Sequence, residues 1–237
     1  MKRRLGYIIG IALVVSTIAE SNAQKSGLSV SLGGASFKME DMKYLMDNIL
    51  TSYPLEGEMI SSFPPYYSGS ANYIRQFYPH LRAEFGYAFT STGARANYSD
   101  YSGSLDTDMT AISHRLGASL NYSLISSDRL DLSLYGRLDG NYTTLDITTN
   151  IYVLGLSNIV NYKYSSISPN GSMGLEILIK FKESAIGIEG GYLVDLPGKL
   201  KNRESGTDLL DPNDSQRVLT SDWSGWRVGI KGLIWIK

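Results

Sequence analysis

In the stretch RLDLSLYGRLDGNY, residues 129 to 142, Leu130, Leu132, Leu134 and Leu138 fall on every second position with Gly136 in step, and Asp131, Ser133, Tyr135, Arg137, Asp139 and Asn141 stand between them. Period-two alternation predicts a strand with one apolar and one polar face. The pattern recurs along the chain. Leu28, Val30 and Leu32 form one such stripe, and Leu81, Ala83, Phe85, Tyr87 and Phe89 a second against Arg82, Glu84 and Gly86. A weaker third places Ala94, Ala96 and Tyr98 against Arg95 and Asn97, and a fourth places Ile112, Leu116, Leu120, Tyr122 and Leu124 against Ser113, Arg115 and Asn121. The opening stretch is the fifth. Three more follow: Met173 to Phe181 against Glu176 and Lys180, Ile186 to Val194 against Glu189 and Asp195, and Trp226 to Ile236 against Arg227 and Lys231. Repeated alternation of this length predicts eight antiparallel strands.

The connections alternate in length. Residues 90–93, 125–129 and 182–184 read as short turns, whereas 38–76, 147–163 and 196–221 are long and 103–109 is brief. In an up-and-down meander this sends the long loops to one end. The predicted fold is therefore all-β, an eight-stranded antiparallel up-and-down barrel. Short periplasmic turns and long external loops are the form of barrels that cross a bacterial outer membrane.

Alternation alone fits a soluble, lipocalin-like barrel as well, and the polar face decides between them. Arg82, Arg95, Arg115, Arg137, Lys180, Arg227 and Lys231 share it with Glu84, Asp131, Asp139, Glu176, Glu189 and Asp195, seven cations against six carboxylates. Near-neutral pairing suits a closed interior, where an unpartnered charge is costly. Exposing Arg or Lys to mid-bilayer lipid would cost about 2 to 4 kcal/mol each, so the charges are expected inside and the leucines outside. Aromatic girdles are expected at the strand ends, with Phe85, Tyr87, Phe89, Tyr122, Phe181 and Trp235 toward the short turns and Tyr98, Tyr142, Tyr192, Trp223 and Trp226 toward the loops.

The first residues have a separate role. Lys2, Arg3 and Arg4 precede the apolar run LGYIIGIALVVSTIA and the small-residue pattern SNA, which reads as a secretory signal peptide over residues 1–23, cleaved to leave a barrel domain over 24–237. The chain has 22 basic and 23 acidic residues and no cysteine. That balance gives no basic surplus for a nucleic-acid partner, and an exported chain without cysteine has no disulfides.

The leader, the alternating strands and the final strand WRVGIKGLIWIK together resemble the Gram-negative outer-membrane β-barrel domain family, the small barrels of the OmpX and PorT-like kind. The resemblance covers residues 25 to 237 and implies an outer-membrane location with outer-membrane lipid and lipopolysaccharide as surroundings. Such barrels commonly end on an aromatic residue; here Ile236 and Lys237 follow Trp235.

Catalysis and metal binding find little support. The lipid A deacylases of this architecture place His and Ser two apart on one strand, but Leu116 follows His114 at that spacing and Arg82 follows His80. The chain is short for a ten-stranded omptin-type protease. Asp211, Asn213 and Asp214 lack the glycine and terminal glutamate of a calcium loop, and NYS, NYT, NGS and NDS read as chance matches to a glycosylation pattern. No cofactor is expected. Eight strands leave an interior that side chains can fill, which argues against a wide pore.

The loops are the functional lead. Met39, Met42, Leu45, Met46, Ile49 and Leu50 at helical spacing before Pro54 predict an amphipathic helix, packed as a lid over the mouth or, the less favoured reading, offering Met42 and Met46 as an adaptable contact surface. FPPYY adds Tyr66 and Tyr67. Residues 143–166 predict a hairpin, including Tyr152 and Val153, that continues past the membrane and could take up a partner chain by strand addition. The expected function is non-catalytic, in surface interaction or envelope integrity through the external loops and a possible protein partner there. Narrow passive transport of a small solute, or an accessory part in protein export, are the alternatives.

Overall fold

The computed structural model describes residues 25–52, 58–99, 101, 103–153 and 156–236, so the leader lies outside the described residues. Twelve strands and one helix follow in order: β1 (Ser26–Ala35), α1 (Glu40–Ser52), β2 (Glu58–Ser62), β3 (Tyr66–Tyr78), β4 (Leu81–Ser99), β5 (Gly103–Ser126), β6 (Leu130–Val153), β7 (Leu156–Lys180), β8 (Ser184–Asp195), β9 (Lys201–Asn202), β10 (Leu210–Asp211), β11 (Asp214–Val218) and β12 (Gly225–Ile236). Eight of them close a ring by antiparallel pairing, in the order β1, β3, β4, β5, β6, β7, β8, β12 and back to β1. Closure leaves no sheet edge within the ring, the condition for a sheet to cross a bilayer. Among the described residues no helix is long and apolar enough to do so.

The ring contains eight strands, but two of them are not those expected. Residues 66–78, which begin within the loop expected over 38–76, form β3, and the second and third predicted strands are one continuous β4. Thr90 to Gly93 is thus mid-strand, paired with Ser113 to Thr110 of β5. Tyr73 and the alanine, glycine and serine residues around it gave β3 too weak an apolar stripe to read. The correction reverses the placements of Phe89 and Tyr87: Phe89 sits opposite His114 and Tyr87 contacts the same ring, toward the loop end of the barrel.

The strands β4 to β7 run 19 to 25 residues, about twice the length needed to span a bilayer. Their upper halves rise past the ring as a tall sheet. β2 pairs with the rising part of β4, so that edge is covered.

On the ring, Val30, Leu120, Leu138, Ile177, Ile188 and Ile230 all face outward and are exposed, while Ser29, Asn121, Glu176 and Lys231 are buried inside. An exterior apolar on every strand and a polar lumen match a lipid surround. Above the ring the inner face changes to Ala94, Ala96, Met109, Ala111, Leu145 and Ile147, and α1 packs against it.

Candidate functional site

The lumen is crossed by charge. Lys231 on β12 donates to both oxygens of Glu84 on β4, at 2.8 and 2.9 Å, and to Glu176 on β7 at 2.6 Å. Arg82 bonds Glu176 and approaches Asp131, whose other oxygen meets Lys180 at 3.3 Å. Glu189 lies 3.7 Å from Lys231. Strands from opposite sides of the ring are therefore tied together through its centre. Breaking such a pair leaves an uncompensated buried charge.

Higher in the lumen, Arg137 donates to Asp139 at 2.7 Å, to Asn72 at 2.8 Å and to the Gly86 carbonyl at 3.1 Å. Glycine makes this approach possible: a Cβ at Gly117 would lie 2.3 Å from Asp139 Oδ1, and one at Gly191 would lie 2.4 Å from the Tyr135 hydroxyl. Arg227 donates to the carbonyls of Ser36 and Trp223. Arg115 is buried in the same region.

Arg95 requires correction. Its side chain is 59% exposed and pairs with Asp108 at 2.5 Å on the outer face of the tall sheet, not in the lumen. The cause is the continuity of β4: the alanines at 94 and 96 face inward against α1, which turns Arg95 outward into water.

Over the lumen lies the lid. Lys38 and Met39 donate backbone bonds to Ser224 and Asp222, and Met39 then takes a left-handed φ of 47° that turns the chain into α1. Glu40 and Asp41 occupy the first turn, where carboxylates complement the helix dipole. Met42 and Met46, the alternative contact surface, are instead fully buried in the core that the helix shares with Leu145, Leu193, Leu200 and Leu219, and offer no partner surface. Their apolar stripe faces the barrel because the rising sheet supplies an apolar counterpart.

Trp223 is corrected likewise. Expected in a girdle, it is fully buried at the centre of the plug, donating to Thr143 at 2.9 Å and meeting Phe37 edge-on at 5.3 Å. The last loop latches the helix. Asp41 accepts from Arg217 at 2.5 Å and from the Thr220 backbone and hydroxyl, Tyr44 donates to Asp211, and Asn213 donates to Asn48. Asp41 beside it pushes the Arg217 pKa up from its ordinary value. Composition gave no sign of this latch, whose partners lie more than 160 residues apart.

Of the other predicted contact residues, Tyr66, Tyr67 and Tyr152 are exposed, and the first two rings meet edge-on at 5.0 Å. Val153 closes β6, with its side chain outside the described residues. His114 lies on the outer face between Tyr87 and Tyr142, its Nδ1 2.6 Å from the Tyr87 hydroxyl. Among the described residues no group of three or more His, Asp or Glu is placed to hold a metal ion.

A closed ring with an apolar exterior, a charge-paired lumen and long strands rising at one end is a transmembrane β-barrel of the small outer-membrane type. No family model matches the chain, and no curated protein matches it. Solved structures similar to it include the attachment invasion locus protein Ail of Yersinia pestis, with 13% identity, 90% of this chain and 99% of that chain covered and a TM-score of 0.41. The outer membrane protein OprG of Pseudomonas aeruginosa gives 11%, 90%, 94% and 0.39, and CarO of Acinetobacter baumannii 14%, 89%, 97% and 0.33. The barrel is defined by its own ring of strands, independently of these likenesses.

Proposed function

We propose that this chain is a non-catalytic barrel of the bacterial outer membrane that acts in surface interaction, presenting the free edge of its tall sheet to a strand of a protein partner. The observation that carries this reading is the upper part of β7. Residues 156–162 pair with β6 on one side, and on the other the first backbone bond to β7 is from Arg203 to the Lys163 carbonyl, beside the pairing of β9 with Tyr164 and Ser165. Leu156, Ile159 and Tyr162 are exposed along that edge. Exposed strand edges accept added strands, with main-chain bonds giving affinity and alternate side chains giving specificity. The opposite edge of the sheet is covered by β2, and α1 covers the inner face of β4 to β6, which leaves this edge as the open side. The lid and the crossed lumen favour a role outside the barrel over passage through it.

The test is affinity capture from native envelopes with the full chain, beside a variant carrying Ile159→Lys and Tyr162→Lys and a control carrying Leu210→Lys on another loop. The expected result is a protein retained by the wild type and the control and lost from the edge variant. The same partners on all three chains would overturn the strand-addition reading. Steady ion conductance by the wild type in planar bilayers would favour narrow passive transport instead.

A further inference from the structure

The lumen divides its charges unevenly along its height. The lower network joins three cations, Arg82, Lys180 and Lys231, to four carboxylates, Glu84, Asp131, Glu176 and Glu189. Above it, among the described residues, Arg115, Arg137 and Arg227 lie near Asp139 and Asp195, with Glu84 of the lower network also in electrostatic reach of Arg137. Both aspartates are engaged: Asp139 holds Arg137, and Asp195 accepts from Ser168 at 2.9 Å and from the Trp223 backbone at 3.2 Å. Taken alone, this upper part holds three cations to two carboxylates, while the lumen as a whole holds six of each.

That local excess falls on Arg115. The residue is only 7% exposed, its Nε has no partner, and among the described residues its guanidinium makes no hydrogen bond or ion pair. It stands within electrostatic reach of Asp139 and Asp195, which attract it without touching it, and of Arg137 and Arg227, which repel it. An arginine stays charged at any physiological pH, so it cannot relieve its burial by losing a proton. Asp139 Oδ2 is also unpartnered; that carboxylate pairs with Arg137 through Oδ1 and attracts Arg115 from beyond ion-pair distance.

A chamber of about 80 Å³ opens beside these groups, lined by Arg115, Arg137, Arg227, Tyr135, Ser119 and Ser172 among others. That volume admits one small anion or a few waters. Its walls offer guanidinium forks, which match oxyanions, and hydroxyl donors. The two carboxylates on its lining, Glu84 and Glu189, both face Lys231.

We propose that this chamber is a binding site for one small inorganic anion, of a size between chloride and phosphate, held by Arg115 together with Arg137 and Arg227. The anion neutralises the upper lumen and ties β5, β6 and β12 together beneath the lid. A ligand that binds only the folded state raises its stability in proportion to occupancy.

The experiment is thermal unfolding of the purified full chain in detergent micelles, in sodium phosphate, sodium chloride and sodium gluconate at matched ionic strength. Gluconate is too large for the chamber. The expected result is a melting temperature a few degrees higher in phosphate or chloride, saturating with concentration. Arg115→Gln is expected to abolish the saturable rise, and Arg95→Gln, which removes an exposed arginine, to preserve it. Equal melting temperatures in the three salts, or a rise that Arg115→Gln leaves intact, overturns the proposal. Should Arg115→Gln fail to fold, wild-type crystals soaked in sodium bromide decide. An anomalous peak between Arg115 and Arg227 upholds the site, and a chamber without one overturns it.

Discussion

Along β6, Leu134 and Leu138 turn outward while Leu145 and Ile147 turn inward, although all four lie on one unbroken run of pairing with β7. Leu138 is 75% exposed and Leu145 is fully buried. The backbone does not change; successive side chains alternate between faces throughout. What changes is the surroundings. Below Tyr142 the outside is hydrocarbon and the inside holds paired charge. Above it the outside is water, where Asp146 is exposed, and the inside is the plug of Met42, Met46 and Trp223. One strand serves two environments by shifting the phase of its apolar residues by one position.

The largest expected effect comes from breaking the lower region at its centre. Glu176 is 1% exposed and accepts from both Arg82 and Lys231. Glu176→Ala removes the carboxylate that Arg82 and Lys231 share, leaving Arg82 its longer approaches to Glu84 and Asp131 and Lys231 its bonds to Glu84. Removing one member of a buried pair costs about 3 to 5 kcal/mol. Urea unfolding of the chain in lipid vesicles measures this. A loss smaller than about 1 kcal/mol, the scale of an exposed pair, would mean that the crossing is solvated and contributes little to the ring.

Next in size is a pair of substitutions that locates the boundary between the regions. Leu138→Lys puts a charge on the outward face where the surround is lipid, at about 2 to 4 kcal/mol for a mid-bilayer position. Thr144→Lys puts the same charge on the same face six residues higher and is expected to be close to neutral. Equal losses at the two positions would place Thr144 within the membrane and raise the boundary.

The phase shift also explains which parts of the fold were legible in the sequence. Leu130, Leu134 and Leu138 and Ile177, Ile179, Ile186 and Ile188 lie wholly in the lower region, and their alternation reads unambiguously as strand with these side chains outward. Ala94 and Ala96 lie in the upper region, where the apolar parity faces inward, so a reading calibrated on lipid assigned Arg95 to the lumen and broke β4 into two strands. β3 escaped notice because it borders β1 with small residues, Ser68 to Ser70 and Ala71, that carry little apolar signal. The lumen network was legible as charge on one face, since parity alone collects Arg82, Glu84, Glu176 and Lys231. Their partners across the ring were not, because pairing β4 with β7 and β12 through the centre depends on the closed ring's geometry. The lid helix was legible from its methionine spacing, but its burial was not, because the apolar surface that receives it comes from three distant strands.

The smallest effect is expected at Arg95, and its smallness is the informative result. The Arg95 to Asp108 pair lies in water on the outer face of the tall sheet, and its guanidinium is exposed. Exposed pairs gain little because the Coulomb attraction is screened and two long side chains lose freedom to form it. Arg95→Gln is therefore expected to leave the urea midpoint in vesicles unchanged within error, at low and at high salt alike. Were Arg95 a lumen charge, the same substitution would leave a carboxylate unpaired in a closed interior and lower the midpoint clearly, as Glu176→Ala does. A clear loss in Arg95→Gln would thus return that residue to the lumen and, with it, invert the assignment of faces for the whole upper half of β4.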